Sequence, residues 1–204
     1  MSTPILARRR RIDRRSDCVV SNTATSLLTV SATVSRMSRK FSFTVPYAVP
    51  VEDLHRALTD DRVWQARFAD AETATLDLSH PEGEGTIRIH MTEKASEDKI
   101  PSVVSKVLKS QLTLARTDNW QPLVGEVAKG TFAGETTGIS TEMSGTYEMR
   151  STAEGSEIEV VGTVQVKVPV VGVAIEPLAE QLHHRVLNSE RTFVEEWVAA
   201  QATA

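Results

Sequence analysis

Histidine is the side chain best suited to acid–base chemistry at neutral pH, and this chain has five histidines. His183 and His184 are adjacent in a segment of helical periodicity, where neighbouring side chains point about 100° apart. This pair is therefore poorly placed to chelate one metal ion. We expect His183 to border the apolar side of the helix and His184 to face solvent. We expect His55 on a helix surface, His80 in a turn and His90 on the polar side of a strand.

Few other side chains are of types that could react. Cys18 has no second cysteine to pair with, and no base lies near it in the sequence. Asp60-Asp61 is more simply a helix start than an acid–base pair. Tyr47, Tyr147 and Trp120 could orient a ligand through a hydroxyl or an indole N–H. Because no short hydrolase or metalloprotease motif is present, the sequence predicts no catalytic residue, no metal site and no cofactor.

Charge divides the chain into two parts. Residues 1–36 hold seven arginines and two aspartates, a net charge of +5, whereas residues 37–204 hold 16 basic and 25 acidic residues, a net charge of −9. An acidic body repels phosphate backbones, so we expect no nucleic-acid partner for it. Hydrophobic residues make up 40% of the chain and charged residues 25%, values typical of a globular protein that buries a core.

The first 36 residues have no clear helical or strand period. We expect them to be a disordered tail or a mis-assigned extension, with the true start at Met37 and the folded domain spanning residues 37–204. Three other interpretations stay open: a basic arm for nucleic acid or anionic lipid, an export signal, and an organellar transit peptide.

Hydropathy patterns after Met37 predict many strands and one long helix. Apolar alternation predicts strands at 41–47, 71–78, 86–94, 112–120, 124–132, 143–150 and 157–168. Spacing of three and four residues predicts helices at 50–58, 60–68, 101–109 and 173–201. The last helix is expected to bury a stripe made of Ile175, Leu178, Leu182, Val186, Phe193 and Trp197.

This order predicts an α+β fold, in which a curved antiparallel sheet wraps around a long C-terminal helix and two short helices follow the first strand. No window of 18 apolar residues occurs, so the sequence predicts no integral membrane segment. A cytoplasmic location is the default, because one cysteine provides no disulfide framework.

Short segments spread along residues 37–200 carry a family resemblance. They are Arg39-Lys40-Phe41-Ser42-Phe43, Val51-Glu52-Asp53-Leu54-His55 with Trp64 and Arg67, Asp118-Asn119-Trp120, Val168-Pro169-Val170-Val171-Gly172 running into Ile175-Glu176, and Phe193 to Trp197. In these segments the sequence resembles DUF2505, a family of uncharacterised, mostly actinobacterial START-like proteins. The START-like superfamily includes polyketide cyclases and Bet v 1-type proteins. The resemblance implies its helix-grip fold, and none of the matching segments is catalytic.

The resemblance also implies a cavity between the sheet and the long helix, where proteins of this superfamily often hold a lipid, sterol, polyketide or other apolar small molecule. The residues expected to line it point inward from the strands and the helix: Phe43, Tyr47, Ile89, Met91, Leu114, Trp120, Tyr147, Met149, Val164, Val166, Leu178, Leu182, His183 and Val186. The same pattern also fits a dry core, since apolar alternation does not separate a core from a cavity.

Three functions are compatible with the sequence. The first is a non-enzymatic protein that binds a hydrophobic small molecule or lipid, and the lack of a catalytic motif favours it. The second is a cyclase or aromatase acting on a polyketide-like substrate, which requires an ionisable side chain inside the cavity. The third is a protein-interaction module with a filled core and an exposed apolar patch. The sequence gives no oligomeric state.

Overall fold

The structure is a computed structural model that describes residues 38–169 and 171–203. The interpretations of residues 1–36, and Cys18 with them, lie outside the described residues. Within the described ranges every helix is too short or too polar to span a membrane.

The chain runs through one strand, two short helices, six further strands and a long helix. The elements are β1 (Arg39–Tyr47), α1 (Val51–Leu58), α2 (Asp61–Arg67), β2 (Ala74–Ser79), β3 (Ile87–Lys94), α3 (Ser102–Ser105), β4 (Thr113–Trp120), β5 (Val127–Thr137), β6 (Thr141–Thr152), β7 (Gly155–Val166) and α4 (Gly172–Ala202). A single 3₁₀ turn (Glu97–Lys99) precedes α3. The helix predicted at 60–68 starts as expected, because the Asp60 carboxylate accepts a hydrogen bond from the Arg62 N–H at 2.9 Å.

One antiparallel sheet contains the seven strands, in the spatial order β1-β7-β6-β5-β4-β3-β2. From β2 to β7 each strand pairs with the next one in the chain, and β1 pairs with β7. The connection through α1 and α2 therefore joins the two edges of the sheet. α4 packs against β7, β1 and α1. This arrangement confirms the predicted α+β helix-grip fold.

The inner face of the sheet follows from alternation in its strands. In β7, Ile158, Val160 and Val164 are 2% exposed or less, whereas Val161 between them is 48% exposed. Successive side chains of a strand point to opposite faces of the sheet, so one face of β7 packs under α4 and the other meets solvent.

Two paired glycines let aromatic rings lie directly on the sheet. Gly145 of β6 is opposite Gly162 of β7. A Cβ at Gly145 would lie 2.6 Å from Phe132 Cζ, and one at Gly162 would lie 2.7 Å from Phe41 Cζ. These separations are shorter than the distance between two non-bonded carbon atoms in contact. The two rings therefore occupy the space that side chains at these positions would need.

The long helix is rotated relative to the predicted stripe. Its buried face contains Ile175, Glu176, His183, Leu187, Glu190 and Val194. Leu182, expected to point inward, is 38% exposed, and Leu178 and Val186 are half-buried. The prediction for Leu182 was therefore wrong, because a stripe drawn from apolar residues alone left out the buried polar residues Glu176 and Glu190.

Two other predicted elements differ in length. The helix expected at 101–109 is one turn, Ser102–Ser105, in a segment whose β-branched valines disfavour helix. Its Val104 is buried in a small second core with Ile139, Val166 and Ile175. The strand expected at 124–132 begins at Val127, because Gly125 takes a positive φ of 62° in a tight turn.

Candidate functional site

The interior between the sheet and α4 is closely packed around a small void. The void has a volume of about 10 Å³, which is room for about one water molecule. It is lined by Val45, Tyr47, Leu58, Trp64, Arg116, Asp118, Trp120, Tyr147, Ile158, Leu187 and Glu190. The expectation of a ready-made, lipid-sized cavity is therefore not met at this place, and the interior here is a core.

The predicted lining residues are distributed over several environments. Tyr47, Trp120 and Tyr147 line the void. Ile89, Met149 and Val164 are fully buried in the main core, and Phe43 and Met91 pack at its border. Val166 and Leu178 belong to the second core. Leu114 and Val186 are half-buried, Leu182 is exposed, and His183 is buried but is not part of the void's wall.

A charged cluster that the sequence did not predict forms one side of the void. The guanidinium of Arg116 on β4 donates to Asp118 Oδ1 from Nε at 3.0 Å, and its Nη2 donates to Asp118 Oδ2. The same guanidinium donates to Glu190 Oε1 and Oε2 on α4, both at 3.0 Å. The side chains of Arg116, Asp118 and Glu190 are 13%, 2% and 5% exposed. The cluster therefore joins the sheet to the long helix through desolvated charges.

Two tyrosines complete the polar side of the void. The Tyr147 hydroxyl donates to Asp118 Oδ1 at 3.2 Å. Burial, together with the charge of Asp118, raises the pKa of Tyr147 well above its usual range. Burial, followed by the charge of Glu190, raises the pKa of Tyr47 in the same direction. Both hydroxyls therefore stay protonated, and that of Tyr147 donates its hydrogen bond to Asp118.

The cluster holds more negative than positive charge when both carboxylates are ionised. Burial raises the pKa of Asp118, Glu190 adds to this effect, and the guanidinium of Arg116 opposes it. For Arg116, burial alone would lower the pKa, but Asp118 and Glu190 outweigh it and raise the pKa well above its usual value. Arg116 thus stays charged, and Asp118 is the carboxylate most ready to hold a proton.

His183 lies beside the cluster in an aromatic environment. Its ring centroid is 4.7 Å from that of Phe132 and 6.4 Å from that of Tyr147, and the ring also contacts Phe41 and Phe43. Its Nε2 has no hydrogen-bond partner among the described residues. Burial, with a smaller effect of the Arg116 charge, lowers the pKa of His183 to about 3, so the imidazole is neutral at pH 7. His184 is exposed, as predicted.

A sequence signal for the cluster exists on β4. Leu114 and Trp120 were predicted to face inward, and strand alternation places Arg116 and Asp118 on the same face. On α4, Glu190 follows Leu187 by three residues and His183 by seven, so all three share one side of the helix. The available signal was the presence of charged residues at positions that face inward. It was missed because hydropathy marks charged residues as surface residues.

The remaining histidines have structural partners. His55, expected on a helix surface, is 7% exposed and its Nε2 is 2.9 Å from the Gln121 carbonyl. His80 lies between the Asp61 carboxylate and the Thr86 carbonyl, which together raise its pKa. His90 contacts the Thr117 hydroxyl at 2.9 Å. Over the described ranges, no group of three or more His, Cys, Asp or Glu side chains could hold a metal ion.

An open surface cleft of about 590 Å³ lies near two of these histidines. Its walls include His55, His80, Asp60, Asp61 and Glu84. It is wide and exposed to solvent, and two of its acidic side chains are already paired: Asp60 binds Arg62 and Asp61 binds His80. The void at Arg116 is therefore the more specific chemical environment, since it combines fixed charges, tyrosine hydroxyls and dry aromatic walls.

Solved structures of known proteins share this fold. The aromatase/cyclase Zhui from Streptomyces sp. R1128 is similar with a TM-score of 0.51 and 14% identity, over 81% of this chain and 96% of that chain. Ara h 8.0201 is similar with a TM-score of 0.51 and 13% identity, over 80% of this chain and 99% of that chain. These neighbours place the chain in the Bet v 1-like, START-like fold class.

The relatives in sequence carry the description uncharacterized protein. Proteins of Mycobacterium bovis and Mycobacterium tuberculosis are each 26% identical to this chain over 170 residues, covering 79% of it and 98% of their own length. The model of a family described as a protein of unknown function, DUF2505, matches residues 42–198. The chain therefore belongs to the DUF2505 family.

Proposed function

We propose that this protein binds a small, largely apolar molecule between the sheet and α4, and that the Arg116–Asp118–Glu190 cluster holds the molecule's polar end. The observation that carries the proposal is the cluster itself, which faces a void in an otherwise apolar core. In this view the ligand is a hydrophobic small molecule or lipid with one polar group, as the family resemblance implies.

Stability alone is a weak reason for such a cluster. Removing charges from water is expensive, and apolar residues of similar volume often replace a buried ion pair with no loss of stability or with a gain. A core that served only to hold the fold would therefore be expected to carry apolar residues at these three positions. Fixed charges and hydroxyls in a dry pocket are the usual means of orienting a small ligand.

Binding requires the interior to open. The void has room for about one water molecule, so a larger ligand must displace core side chains. The ring of Phe132 packs over Gly145 and Gly162 and lies 4.9 Å from the ring of Tyr147 in the wall of the void, so its displacement would enlarge the interior next to the void. An opening step lowers the apparent affinity by the fraction of molecules that are open, so binding is expected to be weaker than into a ready-made cavity.

The comparisons support a ligand in the interior only through the fold. Zhui is an aromatase/cyclase by name, and its identity to this chain is 14%. The net charge of −9 over residues 37–204 argues against a polyanionic partner. We keep the predicted cytoplasmic location as part of the proposal, and fractionation of cells of the native host would test it.

Native mass spectrometry of the full chain, purified from its own host, tests the proposal. We expect a stoichiometric small-molecule adduct that is lost on denaturation and can be identified after solvent extraction. Leu187→Phe, which places a larger side chain in the wall of the void, should reduce the adduct, whereas Leu182→Phe makes the same change on the exposed side of α4 and should not. A protein that is empty under all conditions would contradict the proposal and favour an interaction module with a filled core.

A second candidate is an enzyme of the cyclase type, and the raised pKa of Asp118 favours it. A buried carboxyl with a raised pKa, hydrogen-bonded to Tyr147, has the properties of a general acid. Asp118→Asn keeps the shape of the side chain but removes the transferable proton. Loss of turnover of the extracted ligand with retained binding in this variant would establish the enzyme, and equal activity would exclude this role for Asp118.

A further inference from the structure

We propose that the polar end of the ligand is an ammonium group, seated against Asp118 and Glu190 and enclosed by the aromatic walls of the void. This inference rests on the proposed function and specifies its ligand class: an apolar molecule carrying a basic amine.

The first argument is charge. Two carboxylates, Asp118 and Glu190, share one guanidinium, that of Arg116. Two further charges, those of Arg191 and Glu195 on α4, act on Tyr47 with opposite sign. His183, also on α4, is buried among aromatic rings and adds no positive charge at neutral pH. When both carboxylates are ionised, a state that a bound cation favours, the site has one negative charge in excess, which a single cation balances.

The second argument is hydrogen bonding. Two ionised carboxylates offer about eight acceptor positions. The structure fills five of them, four with N–H groups of Arg116 and one with the Tyr147 hydroxyl. About three acceptor positions stay open among the described contacts, and an alkylammonium group has three N–H donors. A carboxylate ligand would offer only further acceptors, next to two that are already there.

The third argument is the shape and nature of the walls. Tyr47, Trp64, Trp120 and Tyr147 line the same void, and the rings of Trp120 and Tyr147 are stacked at 5.1 Å. Aromatic faces attract cations, most strongly where water is excluded. The void has room for about one water molecule, and the nitrogen of a primary ammonium is of that size. Carboxylates and aromatic rings around such a space form a site suited to ammonium.

The test compares three head groups on the same eight-carbon chain: octylamine, 1-octanol and octanoate, each added to the full-length protein at pH 7 below its solubility limit or micelle concentration. Trp64 and Trp120 are at the void, so their fluorescence reports binding, and calorimetry gives the affinity. We expect the amine to bind about tenfold or more tightly than the alcohol, because hydrogen bonds between charged groups are about twice as strong as neutral ones. Octanoate should bind most weakly.

Matched variants assign the preference to the cluster. Glu190→Gln removes the excess charge with little change in shape, and the ratio of amine to alcohol affinity should fall to about threefold or less. Glu157→Gln, at an ion pair on the outer face of the sheet, should leave the ratio unchanged. Circular dichroism checks the folding of both variants, and the head-group series on the unaltered protein decides the matter if Glu190→Gln does not fold.

The outcomes separate this inference from the proposed function. Octanol or octanoate binding as tightly as octylamine would overturn the ammonium inference while a ligand in the interior stands. An amine preference that persists in Glu190→Gln would also overturn it. Failure of all three probes to bind would overturn it as well. The proposed function would then still be tested separately, by the presence or absence of an adduct in native mass spectrometry.

Discussion

Arg116 and Arg150 make similar contacts on opposite sides of the same sheet. Arg116, on the inner face, holds Asp118 and Glu190 in a cluster that is 13% exposed at most. Arg150, on the outer face of β6, binds Glu157 at 2.7 Å and Glu159 at 3.0 Å, and its side chain is 39% exposed. Water and salt screen the outer cluster, so each of its pairs contributes little. Inside, each charge depends on the others, because no solvent replaces a missing partner.

The largest difference is expected when the arginines are removed. Arg116→Met leaves two carboxylates buried without their cation, and this should lower the free energy of unfolding by about 3–5 kcal/mol. Arg150→Met exposes its glutamates to water and should cost less than about 1 kcal/mol. Urea unfolding of the two variants at pH 7 measures both values. Equal losses would mean that the inner cluster is as well hydrated as the outer one.

The next effect is a pH dependence due to His183. Its folded-state pKa of about 3 lies below the value of about 6.5 in an unfolded chain. The unfolded state therefore binds more protons between these values, and stability is lost as the pH falls from about 6.5 towards 3. At pH 4 this loss amounts to about 3 kcal/mol.

Two adjacent histidines provide the comparison for this effect. His183→Leu should remove the His183 share of the acid destabilisation, whereas His184→Leu, on the exposed side of α4, should keep it. Urea unfolding at pH 7 and pH 4 measures the difference. The same loss in both variants would show that His183 is accessible to protons in the folded state.

The smallest effect is expected from one hydroxyl. Tyr147→Phe removes the hydrogen bond to Asp118 and should cost about 1 kcal/mol, since the carboxylate keeps its contacts with Arg116. The loss should be smaller than that of Arg116→Met in the same urea experiment. An effect as large as that of Arg116→Met would identify Tyr147, rather than the arginine, as the main partner of Asp118.

The sequence predicted the architecture well because the fold depends on alternation and helical period. The strands from 41–47 to 157–168 and the long helix were all found, with the largest shifts at the ends of β5 and α3. Those shifts have local causes: the turn at Gly125 and the poor helix propensity of a valine-rich segment.

The candidate site was harder to predict for the same reason. Hydropathy treats a charged residue as a surface residue, so the predicted stripe left out Glu190 and turned α4 towards Leu182, although His183 was expected among the lining residues. Hydropathy also did not identify Arg116 and Asp118 as residues that face inward, although Leu114 and Trp120 on the same face of the strand were predicted to do so. The position of a buried polar group depends on partners far away in the chain: Arg116 and Glu190, for example, are 74 positions apart. Local pattern does not contain that information.

The central claim is that the Arg116 cluster serves a ligand rather than stability. The most direct test is the free energy of unfolding of the variant Arg116→Met/Asp118→Leu/Glu190→Met/Tyr147→Phe, which replaces the cluster with apolar side chains of similar volume. We expect this variant to be as stable as the unaltered protein or up to about 1–4 kcal/mol more stable. A loss of about 3 kcal/mol or more would show that the cluster holds the fold together, and it would contradict the account.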